Sequence, residues 1–267
     1  MILQSKVYGK YFLHIFISLW FVIVRVQINP QTLESKIRKI KFDLSGYYFI
    51  GLVVLVLLGF WPTYFSKFFD KTADFTMYFH FHAIMLSLWI LVLIIQPILI
   101  RKKKLAVHRL IGKFTYVLFP LMILSVVLLA HSSHHADEKD LDTNLFLSFK
   151  DLVILSTGYF IGIRYRHNVD LHARGMVVTG IVCIEPSVVR FLTHAIGDDA
   201  IAFYVTISVV YAVLIGLIVL ERRQKRGRWV FPLTLCLYLL AHSVIVFHLH
   251  FPPWLEFCKW FLSTRLT

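Results

Sequence analysis

The sequence predicts an all-α fold, a polytopic bundle of transmembrane helices, and three observations predict it. Of the 267 residues, 58% are hydrophobic and only 16% charged, with a mean hydropathy of +0.72. A soluble domain carries about a quarter charged residues to cover its surface, so the apolar side chains of this chain must face lipid. Apolar runs of near-spanning length recur along the chain, and Lys and Arg gather in short clusters between them.

A spanning helix needs about 20 largely apolar residues, because hydrocarbon offers no partner to an unpaired backbone group. Charge-poor runs meet this at residues 44–64, 75–100, 114–130, 200–220 and 229–251. Residues 145–163 join them if Lys150 and Asp151 are tolerated near one end, and residues 171–194 if Glu185 and Arg190 are tolerated inside. That makes about seven core spans. The bundle fills residues 44–251, between an N-terminal apolar segment with a basic linker (1–43) and a short C-terminal tail (252–267). Residues 11–26 are apolar but contain His14 and Arg25, and no small-residue cleavage site precedes Asn29-Pro30. They read as an extra N-terminal helix, spanning or interfacial, rather than a secretory signal.

The net charge of +13 fits this topology better than a nucleic-acid groove. Arg101-Lys102-Lys103-Lys104, His108-Arg109, Arg164-Tyr165-Arg166 and the run from Glu221 to Arg228 all fall on one side of the alternating spans. Asp137, Glu138, Asp140 and Asp142 fall on the other, as do Asp198 and Asp199. Lys and Arg mark the cytoplasmic face, and an anionic membrane surface attracts such clusters. The expected location is the cell membrane with cytoplasmic basic loops; the lipid bilayer is the partner and nucleic acid is not. Cys183, Cys236 and Cys258 show no CxxC and no even-numbered framework, so no disulfide scaffold is expected.

Polar groups inside hydrocarbon are costly and face the bundle interior when present. They sort into two layers. At the basic end, His108 and Arg109 precede one span while His172 and Arg174 open another at matching depth. At the opposite end lie His80, His82 and His242, with Lys150, Asp151 and Arg190. His80 and His82 diverge by about 200° on a helix, so only His82 is expected to point inward. Glu185 and Arg190 are separated by about 140° around a helix and cannot pair with each other. Asp151 is the expected partner of Arg190. Glu185 lies deeper, and unpaired it would be protonated; Pro186 removes the donor to the residue 182 carbonyl and invites a kink there. His131, His134 and His135 form an HxxHH string of the kind found in membrane di-iron enzymes, followed at once by an acidic loop.

His82 with Trp89 and Gln96, then His108-Arg109-Leu110-Ile111-Gly112-Lys113, then His172-Ala173-Arg174-Gly175-Met176 and Arg190 resemble a family of uncharacterised bacterial multi-pass membrane proteins. Its members carry an early histidine in one helix, an HRxxGR-like opening of the next and a later HxRxM-like helix. The resemblance covers residues 75–190, Lys113 replaces the family's usual arginine, and it implies no activity. The layout of histidines near the ends of adjacent spans is also similar to cytochrome b561-type haem proteins, an analogy of arrangement alone.

Three functions follow as expectations. In the first, a redox protein, His108 and His172 ligate a haem b, Arg109 and Arg174 meet its propionates, and His82 with His242 hold a second haem. Such a protein implies a membrane redox partner. In the second, a transporter or non-catalytic membrane partner, Glu185 and Arg190 line a proton or substrate path. In the third, a metal-dependent lipid-modifying enzyme, His80, His82, His131, His134 and His135, with His194 as a further candidate, gather a metal at the membrane boundary. For each histidine and arginine taken singly, reaching from a helix end toward lipid headgroups is the simpler role. Trp20, Trp61, Trp229 and Trp254 read as interfacial anchors.

Overall fold

The computed structural model describes residues 42–267 apart from Arg223 and Lys225, so the apolar segment 11–26 lies outside the described residues. All regular structure among the described residues is helical. After a 3-10 turn at Phe42–Leu44, α1 (Ser45–Phe60) continues through a π-helical turn, Trp61–Phe65, into the short α2 (Ser66–Phe69). Then follow α3 (Met77–Arg101), α4 (Leu105–Ser133), α5 (Leu141–Arg164), α6 (Val169–Ile181), α7 (Ile184–Ile196), α8 (Asp199–Leu220), α9 (Val230–Val246) and α10 (Pro252–Ser263). Six helical stretches are long and apolar enough to cross a membrane: Ser45–Phe69, Met77–Arg101, Leu105–Ser133, Leu141–Arg164, Val169–Ile196 and Asp199–Leu220. A seventh apolar helix, α9, has 17 residues. The chain is an all-α, multi-pass integral membrane protein.

Four boundaries differ from expectation, each for a physical reason. Helix α4 begins at Leu105, nine residues before the expected run, because exposed Arg109 and Lys113 reach water from its first turns. The span expected at 171–194 is two helices, interrupted at Val182 and Cys183. Pro186 has no N–H to return to the Val182 carbonyl, and the helix is broken there. Helix α9 ends at Val246, and His248 turns the chain with φ of 47°. The expected tail contains α10, started by prolines in its first two positions, where no N–H is needed.

Capping fixes the other turns. The Asn168 side chain accepts from the Asp170 and Leu171 amides at the start of α6, and Asp198 accepts from the Ile201 amide at the start of α8. Gly197 closes α7 with φ of 77°, a conformation that favours glycine.

Between lipid-solvated helices, close van der Waals packing replaces the hydrophobic drive of soluble cores. One such close contact joins α5 and α6. A Cβ on Gly175 would lie 2.5 Å from the Gly162 nitrogen and 2.6 Å from the Gly158 carbonyl oxygen, so only glycine lets these backbones meet. Gly175→Ala is expected to destabilise the protein by about 1–3 kcal/mol by overpacking. The check is its unfolding midpoint in detergent; an unchanged midpoint would mean that the two helices can part at no cost.

Contacts between successive loops define two ends. At the basic end, the Gln96 amide donates to the His108 carbonyl and Arg174 reaches Glu221 and Gln224. At the other, Tyr64 meets His80, His131 meets Thr264 and Thr267, and Trp254 donates to the Asp142 carbonyl. Trp61 and Trp229 are exposed near span ends, as anchors would be. Trp254 instead packs among Phe146, Phe149 and Phe257.

Candidate functional site: a buried charge cluster

Four helices bring ionisable groups to one point inside the bundle. Lys150 of α5 donates from Nζ to Asp151 Oδ1 at 2.7 Å and to Glu185 Oε1 of α7 at 2.8 Å. The other oxygen of Glu185 accepts from Nε2 of His242, on α9, at 3.3 Å. On the far side of the ring, the Tyr211 hydroxyl of α8 lies 2.9 Å from Nδ1 and donates to it. With Nε2–H directed at the carboxylate, one neutral tautomer satisfies both bonds. Tyr238, one turn before His242, places its ring 5.4 Å from the imidazole and 5.7 Å from the Lys150 ammonium. Lys150, Glu185 and His242 are all buried.

This arrangement corrects two expectations. Glu185 is not unpaired, because a lysine and a histidine from neighbouring helices meet it. Asp151 receives Lys150 directly, whereas Arg190, on the exposed flank of the bundle, attracts Asp151 through space without an ion pair to it. There Arg190 donates to the Pro186 carbonyl of its own helix at 2.9 Å and covers the Phe60 ring at 4.7 Å. Two members, Tyr211 and Tyr238, were not singled out from the sequence. The available signal was a hydroxyl near the middle of an otherwise apolar span, where it needs a partner.

A second buried pair sits at the basic end. Arg174 is fully buried and its guanidinium is taken up within the chain. Nε donates to Glu221 at 2.8 Å and 3.0 Å, Nη1 to the Asp170 carbonyl at 2.6 Å, and Nη2 to Gln224 Oε1 at 2.7 Å. Phe42 covers the guanidinium at 5.0 Å. These bonds lock the start of α6 to the loop after α8, with each of the three guanidinium nitrogens engaged within the chain. Arg109 remains exposed.

The histidines divide by neighbour. His108 and His172 do come together, with ring centroids 6.3 Å apart and planes at 84°. His172 Nδ1 lies 2.8 Å from the Gly162 carbonyl and donates to it, while Nδ1 of His108 is buried without a partner. His82 turns to Ser125 on α4 at 3.2 Å, and both nitrogens of His242 are engaged as described. The expected His82–His242 pair is therefore drawn to two different sets of neighbours. His80 is not turned outward but bonds Tyr64 at 2.8 Å inside a ring of Phe68, Phe75 and Phe79.

The HxxHH string does not converge, because α4 ends at Ser133 in its middle. His131 faces α10 and the C-terminal threonines. His134 bonds Glu138 at 2.8 Å, which with Asn144 holds the Glu138 carboxyl below the usual carboxylate range. His135 is exposed. Among the described residues no three His, Cys, Asp or Glu side chains are grouped to hold a metal ion. His80, His131 and His134, expected as part of one ligand set, each bond a different neighbour. The three cysteines are free thiols.

Comparisons with protein families, with curated proteins and with solved structures find no match. Fold and site together define a class: a multi-pass helical membrane protein with a paired charge cluster enclosed by α5, α7, α8 and α9.

Proposed function

We propose that this protein is a proton-coupled carrier of the cell membrane, its basic loops cytoplasmic, which takes up and releases protons at Glu185 and His242. The observation that carries the reading is the chain of bonds from Tyr211 through His242 to Glu185, beside Lys150 and Asp151. Ionisable groups in hydrocarbon are expensive and concentrate on ion and proton pathways. The cluster joins four helices, one of which, α7, starts at an intramembrane break, and transporters place their sites at such interruptions. A proton arriving at His242 forms an imidazolium facing the Glu185 carboxylate, and Lys150 holds that carboxylate from its other oxygen. Loss of the Lys150 contact would free Glu185 to accept the proton itself.

The test uses purified protein in liposomes containing a trapped pH dye. An acid pulse with a compensating potassium potential is expected to acidify the lumen through the wild type and not through Glu185→Gln. Equal rates in both, or no flux in the wild type, would count against the reading.

A specific contact favours a second reading, a haem b held between His108 and His172 with electrons exchanged with a membrane redox partner. The Gly162 carbonyl fixes the His172 tautomer from Nδ1, as a carbonyl behind a metal-bound histidine does, and leaves Nε2 with its lone pair. Arg109 would face a propionate. The visible spectrum of protein purified from haem-replete cells decides: a Soret band lost in His172→Ala is expected, and its absence from the wild type removes the haem.

A further inference from the structure

Buried polar atoms almost always find a partner in protein or ordered water. Among the described residues five buried side-chain atoms find none within the chain: Trp89 Nε1, Gln96 Oε1, His108 Nδ1, Gln224 Nε2 and Tyr238 Oη. Gln224 belongs to the Arg174 lock. The other four do not scatter. Gln96 reaches the His108 carbonyl at 3.1 Å, so two of them sit together beside His172. From there α4 continues upward in hydrogen-bonded steps: Thr115 donates to the Gly112 carbonyl at 2.6 Å, and Tyr159 of α5 donates to the Thr115 carbonyl at 3.1 Å. The Tyr159 ring is 5.7 Å from that of Trp89, which is wholly buried. Tyr159 and Asp151 share one stripe of α5, eight residues or about 12 Å apart. The fourth unpaired atom is the hydroxyl of Tyr238, whose ring lies beside Lys150 and His242.

We propose that ordered water fills these positions and forms a polar column between α3, α4, α5 and α6, running from the His108–His172 pair to the Glu185–His242 cluster. Its ligand is water, held by an indole N–H, an amide oxygen, an imidazole nitrogen and a phenol. Its use as a proton entry from the basic end rests on the carrier reading. Each hop moves one proton from a water or hydroxyl oxygen to the next, with no net change in any group. The competing partners for Trp89 are the Tyr159 ring, which meets it edge-on at 66°, and the Phe119 ring at 5.6 Å.

Radiolytic hydroxyl labelling of the protein in detergent micelles tests the column without reference to activity, because radicals form at bound water even where bulk solvent cannot enter. Trp89 and Tyr238 are expected to label strongly, after correction for intrinsic reactivity, while Phe231, equally buried but apolar, stays silent. Their oxygen should come from ¹⁸O-water added before the pulse. Trp89 and Tyr238 as silent as Phe231 would overturn the column and return the indole N–H to the Tyr159 and Phe119 rings. A second arm separates the column from the carrier reading. In the liposome assay, Tyr159→Phe keeps the ring and removes the hydroxyl, and it is expected to slow acidification at least tenfold (about 1.4 kcal/mol). Flux that Glu185→Gln stops and Tyr159→Phe leaves unchanged overturns the column as a route. Labelled Trp89 and Tyr238 in a protein without flux uphold the water column and remove the carrier.

Discussion

Lys150→Met is expected to destabilise the protein by about 3–5 kcal/mol, the usual result of leaving a buried charge without its partner. Lys150 holds Asp151 and Glu185 together, at 2.7 Å and 2.8 Å. Without the ammonium, two carboxylates face each other in a medium that cannot screen them, and the helices that carry them must separate or take up protons. Methionine keeps the length and apolar volume of the stem, so the loss reports the charge rather than a cavity. Unfolding of detergent-solubilised protein measures it. The decisive comparison is the double variant Lys150→Met/Glu185→Gln, which removes charges of both signs and is expected to recover a large part of the loss. Additive losses would show that the two side chains do not act as a pair.

Arg174→Leu is expected to have an effect of similar size, again about 3–5 kcal/mol, at the opposite end of the bundle. Here the stranded group is Glu221, buried, and lifted above the usual carboxylate range by that burial even with the guanidinium beside it. The variant also releases the Asp170 carbonyl and Gln224, so the loop between α8 and α9 should loosen. Faster proteolysis at that loop, together with a lower unfolding midpoint, is the expected pair of observations. Arg174→Leu/Glu221→Leu should restore the midpoint in large part. An Arg174→Leu protein that unfolds like the wild type would mean that Glu221 finds water in its place.

The spans were legible because composition alone decides them: an apolar run of sufficient length has few options besides crossing lipid. The break within the fifth core span was legible too, since Pro186 names the one carbonyl, at Val182, that loses its donor. What could not be read was azimuth. Lys150 and His242 carry no mark in sequence that they face Glu185, because helix rotation and tilt are set by contacts made once the bundle has closed. The same gap hid that Lys150, not Arg190, is the direct partner of Asp151, Arg190 acting on it only through space. Glu221 was read as one member of a basic loop. That it is the single acid between residues 221 and 228 was the signal for a buried arginine elsewhere. The pairing of His108 with His172 followed from depth alone, as both precede or open helices that start at the same end.

The interruption at Val182 and Cys183 also changes the field at the cluster. In an unbroken span Glu185 would stand in the middle of a helix, where successive peptide dipoles cancel except at the ends. Because α7 starts afresh at Ile184, Glu185 falls in its first turn. The N–H groups of that turn point back along the helix axis and give its end a partial positive charge, at most about half an elementary charge. The backbone itself thus acts as a further counter-charge to this carboxylate, one that no side-chain substitution removes.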